Sequence, residues 1–361
     1  MCVVPVMHIN KETADDNENR MLAGWPDLWQ GNRINNNYGE QVERWLNDRF
    51  YGRNTYIKIY NKVYNWLLGN QYDGKRAFLC KDNWLFYKDE HSVELYQHRM
   101  PFKETELDLI KYKLLRQNTF FNRHGIYYAI MLAPNKADVY GEFYKEDIYQ
   151  KEVPDRVQLL KVHMGGTDVN ITYPLETLMQ HKKDGLLYWK TDTHWNSLGA
   201  YWGYWEWMLN LKTHISDIEP ITLQEMEIHE TKHVEGDLAK MLKIKDVSRW
   251  ETDVYYDFVK KNGWDYTLVV EEIQSDGHTP NIIHTTCPGK KHKVVIFRDS
   301  FTTSMLPYIA STFGEVYFMW NRDYDKYTDL ILNEGVDIVL NEFVSRSADQ
   351  LLKEANRWEN R

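Results

Sequence analysis

The sequence predicts an α/β fold: a three-layer α/β/α sandwich around a mostly parallel sheet. Three observations carry this. Five short apolar runs recur in the second two-thirds of the chain, with helical material between them, which is the rhythm of parallel strands and crossover helices. The runs are apolar throughout instead of alternating, as strands buried on both faces are. The 361 residues are 43% hydrophobic and 27% charged, enough apolar material for a sizeable core under an ordinary soluble surface.

Taken in order, residues 1–24 are a polar arm after a brief apolar run, Cys2 to Met7, too short to span a bilayer. No other stretch is apolar enough to span. The remainder, 25–361, is one domain. Its first part, 25–120, is a helical and hairpin extension. Val42, Trp45, Leu46 and Phe50, then Ile57, Tyr60, Val63, Tyr64 and Leu67, recur at helical spacing between Asn37 and Asn70, and Gly52 breaks the run. Ala77 to Tyr87 holds the pieces AFLC and WLFY and reads as a hairpin. Thr105 to Arg123 is an amphipathic helix that Gly125 stops. The α/β core then begins at Ile126. IYYAIMLA, ended by Pro134, is its first strand and Gly185 to Trp189 its second. VVIF (294–297), VYFM (316–319) and DIVL (337–340) follow, with Tyr327 to Asn333 as helix between the last two. Residues 221–290 interrupt the rhythm with pieces such as VYYDF and YTLVV, and read as a β-rich insertion.

Charge and cysteine content exclude several functions. A net charge of -9 gives no electrostatic grip on nucleic acid or anionic lipid, but leaves a sugar polymer open as a partner. The three cysteines, Cys2, Cys80 and Cys287, form neither a disulfide framework nor a CxxC zinc pair. The 14% aromatic content suits a sugar-binding cleft and equally a large core.

Two constellations carry chemistry. Asp192-Thr193-His194-Trp195-Asn196 follows the apolar LLYW and precedes a helical stretch, at a place expected to be a strand end. A carboxylate two residues from an imidazole can orient the ring and stabilise its charged form; alternatively Asp192 or Asn196 simply caps the helix. Arg298-Asp299-Ser300-Phe301 follows VVIF and precedes another helical stretch. A serine at a sharp strand-to-helix turn presents its hydroxyl above the sheet, beside free helix N–H groups that can receive an oxyanion. A serine hydroxyl needs a base to become a nucleophile. The pair therefore reads as Ser300 nucleophile, His194 base and Asp192 orienting carboxylate. The same D-x-H could supply two metal ligands, with His233, Glu235 or Asp237 as a third. The predicted site has no metal and no cofactor.

Together these residues resemble the alginate O-acetyltransferase family of the AlgX/AlgJ type, with its SGNH-hydrolase-like fold. The landmarks are Glu18-Asn19-Arg20 with Pro26, Trp45-Leu46-Asn47-Asp48-Arg49-Phe50 with Arg53, and Trp84-Leu85-Phe86-Tyr87. Pro134-Asn135-Lys136 with Tyr140, Asp192-Thr193-His194-Trp195, Gly236-Asp237-Leu238 and Asp299-Ser300-Phe301 continue the set. Asp-x-His precedes Ser by about a hundred residues, a permuted order that the resemblance shares. One departure is Arg298, where the family often has Gly.

The resemblance implies an extracytoplasmic enzyme that moves an acetyl group through an acyl-serine onto a polysaccharide hydroxyl. The donor is supplied by a membrane-bound O-acyltransferase, and an N-terminal anchor is expected ahead of residue 2. The Ser300 N–H is the expected oxyanion donor. Asn341, Arg298, Asn135, Lys136 and Trp195 are further oxyanion or substrate-binding candidates. A carbohydrate acetylesterase with the same three residues, and a non-catalytic polysaccharide-binding scaffold, are the alternatives.

Overall fold

The computed structural model describes residues 14–15, 20–30, 33–49, 59, 73–232, 235–244, 247, 252–274, 279–320 and 324–353. Most of the N-terminal arm, the helical pattern predicted from Phe50 to Asn70 apart from residue 59, Arg53 and His233 lie outside these residues. Two pairs of two-residue strands precede helix α1 (Tyr38–Arg49). Strands β1 (Ala77–Leu79) and β2 (Leu85–Tyr87) form the expected hairpin. Then come α2 (Ser92–Tyr96), α3 (Glu104–Arg123), β3 (Tyr127–Ala133), α4 (Lys136–Tyr140), α5 (Arg156–His163), β4 (Asn170–Thr172), α6 (Leu175–His181) and α7 (Ser197–Lys212). β5 (Met226–Thr231), α8 (Asp237–Met241), β6 (Tyr255–Lys260), β7 (Thr267–Ile273) and β8 (Pro280–Thr286) follow. The chain continues through β9 (Lys293–Phe297), α9 (Phe301–Ala310), β10 (Glu315–Met319), α10 (Tyr324–Asn333), β11 (Ile338–Val344) and α11 (Gln350–Lys353). No helix among the described residues is long and apolar enough to cross a membrane.

The apolar runs become the centre of a seven-stranded sheet with order β7-β8-β10-β9-β11-β3-β4. The five strands from β10 to β4 are mutually parallel, and β8 and β7 extend the β10 edge antiparallel. Alternate residues of each central strand point to opposite faces. Ala129, Met131, Ile296 and Leu340 meet Trp195, Tyr201, Trp207, Phe301 and Met305 on the α7 and α9 side. Tyr128, Ile130, Val295, Phe297 and Val339 meet Ile110, Leu114, Leu160 and Ile331 on the α3, α5 and α10 side. This is the predicted sandwich.

Three sequence expectations are corrected. Gly185 to Trp189 is not a sheet strand. Its Leu187 and Tyr188 are fully buried, but the segment folds back on its own continuation through a single Tyr188–Trp195 bridge, and short Asn170–Thr172 takes the place beside β3. The helical layer starts before Ile126, because α3 covers one face of the sheet. The end of the predicted insertion belongs to the main sheet, where 267–286 supplies β7 and β8; 226–260 forms a separate β5/β6 hairpin. Helix α8 packs against β1 and β2 through Leu238, Leu242, Ala77 and Leu85.

The bend from Leu187 into α7 depends on Gly199, where an added Cβ would lie 2.2 Å from the Leu187 carbonyl oxygen. Alanine would ordinarily favour a helix, but here it must displace backbone. Gly199→Ala should destabilise the protein by about 1–3 kcal/mol, the range for overpacking, as read from a lowered melting temperature. An unchanged or raised Tm contradicts this packing.

Candidate active site

Strand β9 ends at Phe297 in the middle of the parallel sheet, and Ser300 stands three residues on as the N-cap of α9. Carboxyl ends of parallel strands are where such sheets bind ligands. The turn is built by Asp299, whose Oδ1 accepts from the Phe301 N–H (2.7 Å) and whose Oδ2 accepts from the Val344 N–H (2.8 Å). Glu342 of β11 accepts from the Asp299 N–H and, at 2.6 Å, from the Thr302 hydroxyl. With capping done by Asp299, the Ser300 side chain makes no cap bond. Its Oγ lies 2.7 Å from His194 Nε2.

His194 sits on the loop between Tyr188 and α7. Asn196, not Asp192, caps that helix, accepting from the Gly199 N–H. Asp192 turns back instead: its Oδ1 accepts from His194 Nδ1 (2.6 Å) and from the His194 backbone N–H (2.9 Å). Its Oδ2 accepts from the Asp237 N–H (3.0 Å). In the neutral ring Nδ1 carries the proton facing Asp192, which leaves Nε2 to accept from the Ser300 hydroxyl. Ser300, His194 and Asp192 thus form one hydrogen-bonded line.

The charges reinforce the geometry. Burial works against a charged His194, but the Asp192 and Asp237 carboxylates outweigh it and raise the imidazole to about 9. Burial likewise favours a protonated Asp192, yet the His194 charge and the N–H donors hold its carboxyl well below the usual range. Asp237 moves upward, because burial and the neighbouring Asp192 both disfavour its charge.

The other predicted residues brace the site. Lys136 is buried, and its Nζ donates to the carbonyls of Trp189, Lys190 and Asp192, the last at 2.6 Å. Trp195 is fully buried and so offers no face to a sugar. Its Nε1 donates to the Phe301 carbonyl (2.9 Å), tying the histidine loop to the serine helix. Arg298 is also buried, stacked 4.7 Å from the Trp320 ring and donating to Thr303 Oγ1 and the Asp299 carbonyl. Burial lowers its guanidinium to about 10. Asn135 donates to Ser345 Oγ (2.7 Å) and to Asp138, whose carboxyl is pushed up to about 6 by burial and by Asp155. Asn341 does not reach the site. Strand β11 runs past it, and its amide is buried on the α3 face of the sheet, donating to Tyr128 (2.9 Å).

Two neighbours were not singled out for this role in the sequence. Asp237 was visible only as part of Gly-Asp-Leu and as a metal-ligand candidate. Arg346 follows β11 with no motif around it. Its guanidinium lies 5.8 Å from the Phe301 ring, bonded to Glu90 (2.9 Å) and Asn135. A small opening lies between Thr193 and Arg346, lined also by Phe86, Tyr87 and Tyr144. Asp192, His194 and Asp237 bring ligand-type atoms within 4.8 Å of one another. Those atoms already hydrogen-bond within the loop and to α8, and Glu235 is exposed to solvent.

An α/β/α sandwich with a hydroxyl, an imidazole and a carboxylate in line above its parallel strands fits an SGNH-hydrolase-like domain, and the family match makes it one. Residues 78–263 match the family described as SGNH hydrolase-like domain, acetyltransferase AlgX, and the chain belongs to that family. The matched stretch contains Asp192, His194 and Asp237; Ser300 lies beyond it. Among solved structures, Bacillus cereus PatB1 aligns at 16% identity with a TM-score of 0.57, over 74% of this chain and 95% of that one. A DHHW family protein from Eubacterium siraeum aligns at 17% identity with a TM-score of 0.53, over 75% and 91%. PatB1 carrying a sulfonyl adduct aligns at 16% identity with a TM-score of 0.54, over 74% and 96%. These likenesses show the fold. No curated protein gives a significant sequence match.

The raised imidazole predicts a pH dependence of stability. A group whose pKa rises on folding adds stability in full below its unfolded value, about 6.5, and loses it as pH climbs through the folded value. The Tm difference between wild type and His194→Gln should therefore be largest below pH of about 6.5 and narrow as pH passes about 9. A difference that stays constant over this range rejects the ion pair.

Proposed function

We propose that the protein is an extracytoplasmic O-acetyltransferase that carries an acetyl group on Ser300 to a polysaccharide hydroxyl. One observation carries the reading: the 2.6 Å and 2.7 Å contacts that align Asp192, His194 and Ser300 in a chain of an acetyltransferase family. Ser300 Oγ attacks the acetyl carbonyl carbon of the donor while His194 Nε2 takes its proton. The tetrahedral oxyanion lies against the Ser300 N–H at the start of α9. Collapse breaks the bond to the donor's leaving oxygen, which receives the proton from His194, and acetyl-Ser300 remains. An acceptor hydroxyl then gives its proton to His194 and attacks the acetyl-serine carbonyl. The second collapse returns that proton to Ser300 and releases the acetylated sugar. Asp192 stays ionised throughout and steadies the imidazolium.

The acceptor is a polysaccharide, and the partly exposed Tyr87 and Arg346, which line the opening beside Thr193, offer polar groups to its hydroxyls. The donor is an acetyl group handed over outside the cytoplasmic membrane by a membrane-bound O-acyltransferase, with an N-terminal anchor holding this chain close to it.

The test is turnover of a chromogenic acetyl ester by wild type, Ser300→Ala and His194→Ala, with and without oligosaccharide acceptors. Each substitution should cut the rate by about a thousandfold or more, and wild type should transfer acetyl to sugar. Acetate as the sole product, with every acceptor tried, replaces the transferase with an esterase. Equal rates in wild type and variants end the acyl-serine reading.

A further inference from the structure

The insertion touches all three residues of the Asp192-Thr193-His194 loop. Gly236 brings its backbone against the loop so closely that a Cβ there would lie 2.1 Å from the Thr191 carbonyl oxygen. The Ala239 N–H donates to that same oxygen (3.1 Å), and the Asp237 N–H donates to Asp192 Oδ2 (3.0 Å). Asp237 Oδ1 accepts from the Thr193 N–H (2.7 Å), and Oδ2 accepts from the Thr193 hydroxyl (2.5 Å). Oδ2 also lies 3.9 Å from His194 Nδ1.

These bonds do not require a charge. An asparagine could accept from the Thr193 N–H through Oδ1 and donate to the Thr193 hydroxyl through Nδ2, bracing the loop equally well. A carboxylate instead adds a second negative group beside Asp192, with both side chains less than one-fifth exposed. Hydrogen-bond donors offset part of that repulsion, and positive charge on the neighbouring ring offsets more of it. The charged groups facing His194 are Asp192 on its own loop, Asp237 on α8 and Arg346 after β11. Lys136 on α4 holds the loop's carbonyls. Arg346 opposes charge on the imidazole and is itself paired with Glu90.

We propose that Asp237 is a positioning residue for this reaction, a second carboxylate that clasps the loop and lends negative charge to the imidazolium formed when Ser300 gives up its proton. The proposal rests on the acyl-serine reading above. Asp192 then supplies orientation and the larger share of charge. Asp237 supplies the remainder at the same Nδ1 edge, 3.9 Å from the nitrogen, through a segment outside the central sheet.

The experiment compares wild type, Asp237→Asn and Asp237→Glu. Two readouts are used: the pH dependence of 4-nitrophenyl acetate hydrolysis, and sulfonylation by phenylmethanesulfonyl fluoride followed by intact mass. In the labelling step the Ser300 Oγ–S bond forms, fluoride leaves and the serine proton passes through His194 to solvent. Wild type should label once. Asp237→Asn should also label once, with the acid limb of kcat/KM displaced about one unit downward. Its plateau kcat should fall by up to about tenfold, the factor one pKa unit represents, at unchanged KM. Asp237→Glu keeps the charge and should leave the acid limb near its wild-type position even if kcat falls. It carries the comparison should the Asn variant fold poorly. An Asp237→Asn limb coincident with wild type, or an Asp237→Glu limb displaced like a neutral variant's, overturns the proposal and leaves Asp237 a brace. Wild type that neither labels nor hydrolyses the ester overturns the acyl-serine reading, and this proposal with it.

Discussion

The structure depends on holding an imidazole that the sheet does not carry. Ser300 is placed by the strand beneath it, with Asp299 and Glu342 fixing the turn. His194 sits on a loop with no strand at its root, joined to itself by one β-bridge. A hydroxyl 2.7 Å from an imidazole is useful only if the ring cannot swing away. Four neighbouring elements supply that hold. Lys136 gathers the loop's carbonyls from α4, Trp195 bonds the helix that begins at Ser300, Asn196 caps α7, and α8 of the insertion clasps the far side. The ammonium of Lys136 and the indole of Trp195 are spent on backbone oxygens, so they face no substrate.

Much of this was legible in the sequence, and the misses have physical causes. The β3, β9, β10 and β11 strands announce themselves because strands buried on both faces must be apolar throughout. Asp-x-His and Asp-Ser-Phe could be read because the chemistry needs those groups close together in the chain or at a strand-to-helix turn. Gly185–Trp189 misled because burial, not pairing, makes Leu187 and Tyr188 apolar, and burial against helices looks the same as burial in a sheet. Asn170–Thr172 was invisible because three residues give no period. Asn341 reads as an oxyanion or substrate-binding candidate because the apolar run DIVL stops just before it. The strand continues through the buried Asn341 and Glu342, whose side chains bond Tyr128, and Thr302 and the Asp299 N–H, respectively. Asp237 lies more than forty residues from His194, and no local pattern links the two.

The division of labour between sheet and insertion also accounts for three of the buried charges. Lys113 and Arg156 are buried elsewhere in the molecule; Arg298, Lys136 and Glu342 are the other charged groups with almost no exposure among the described residues, and each has polar partners. All three border the two segments that must meet, and each is bonded to one of them. Polar groups here fix backbone, and the apolar rings of Trp195 and Phe301, 5.2 Å apart, close the seam between the two segments.

The sheet register has a kinetic consequence. Strand β3 joins the rest of the sheet only through β11, where Tyr127 pairs with Ile338, more than two hundred residues further along the chain. Contacts of such separation are slow to form, since the intervening chain must be closed before they reward it. During synthesis, β3 and β4 leave the ribosome with their inner edge unpaired, and the strand that fills it follows about two hundred residues later. The half-built sheet is therefore an open, apolar edge over that whole stretch of translation, the condition in which nascent chains most need protection from one another.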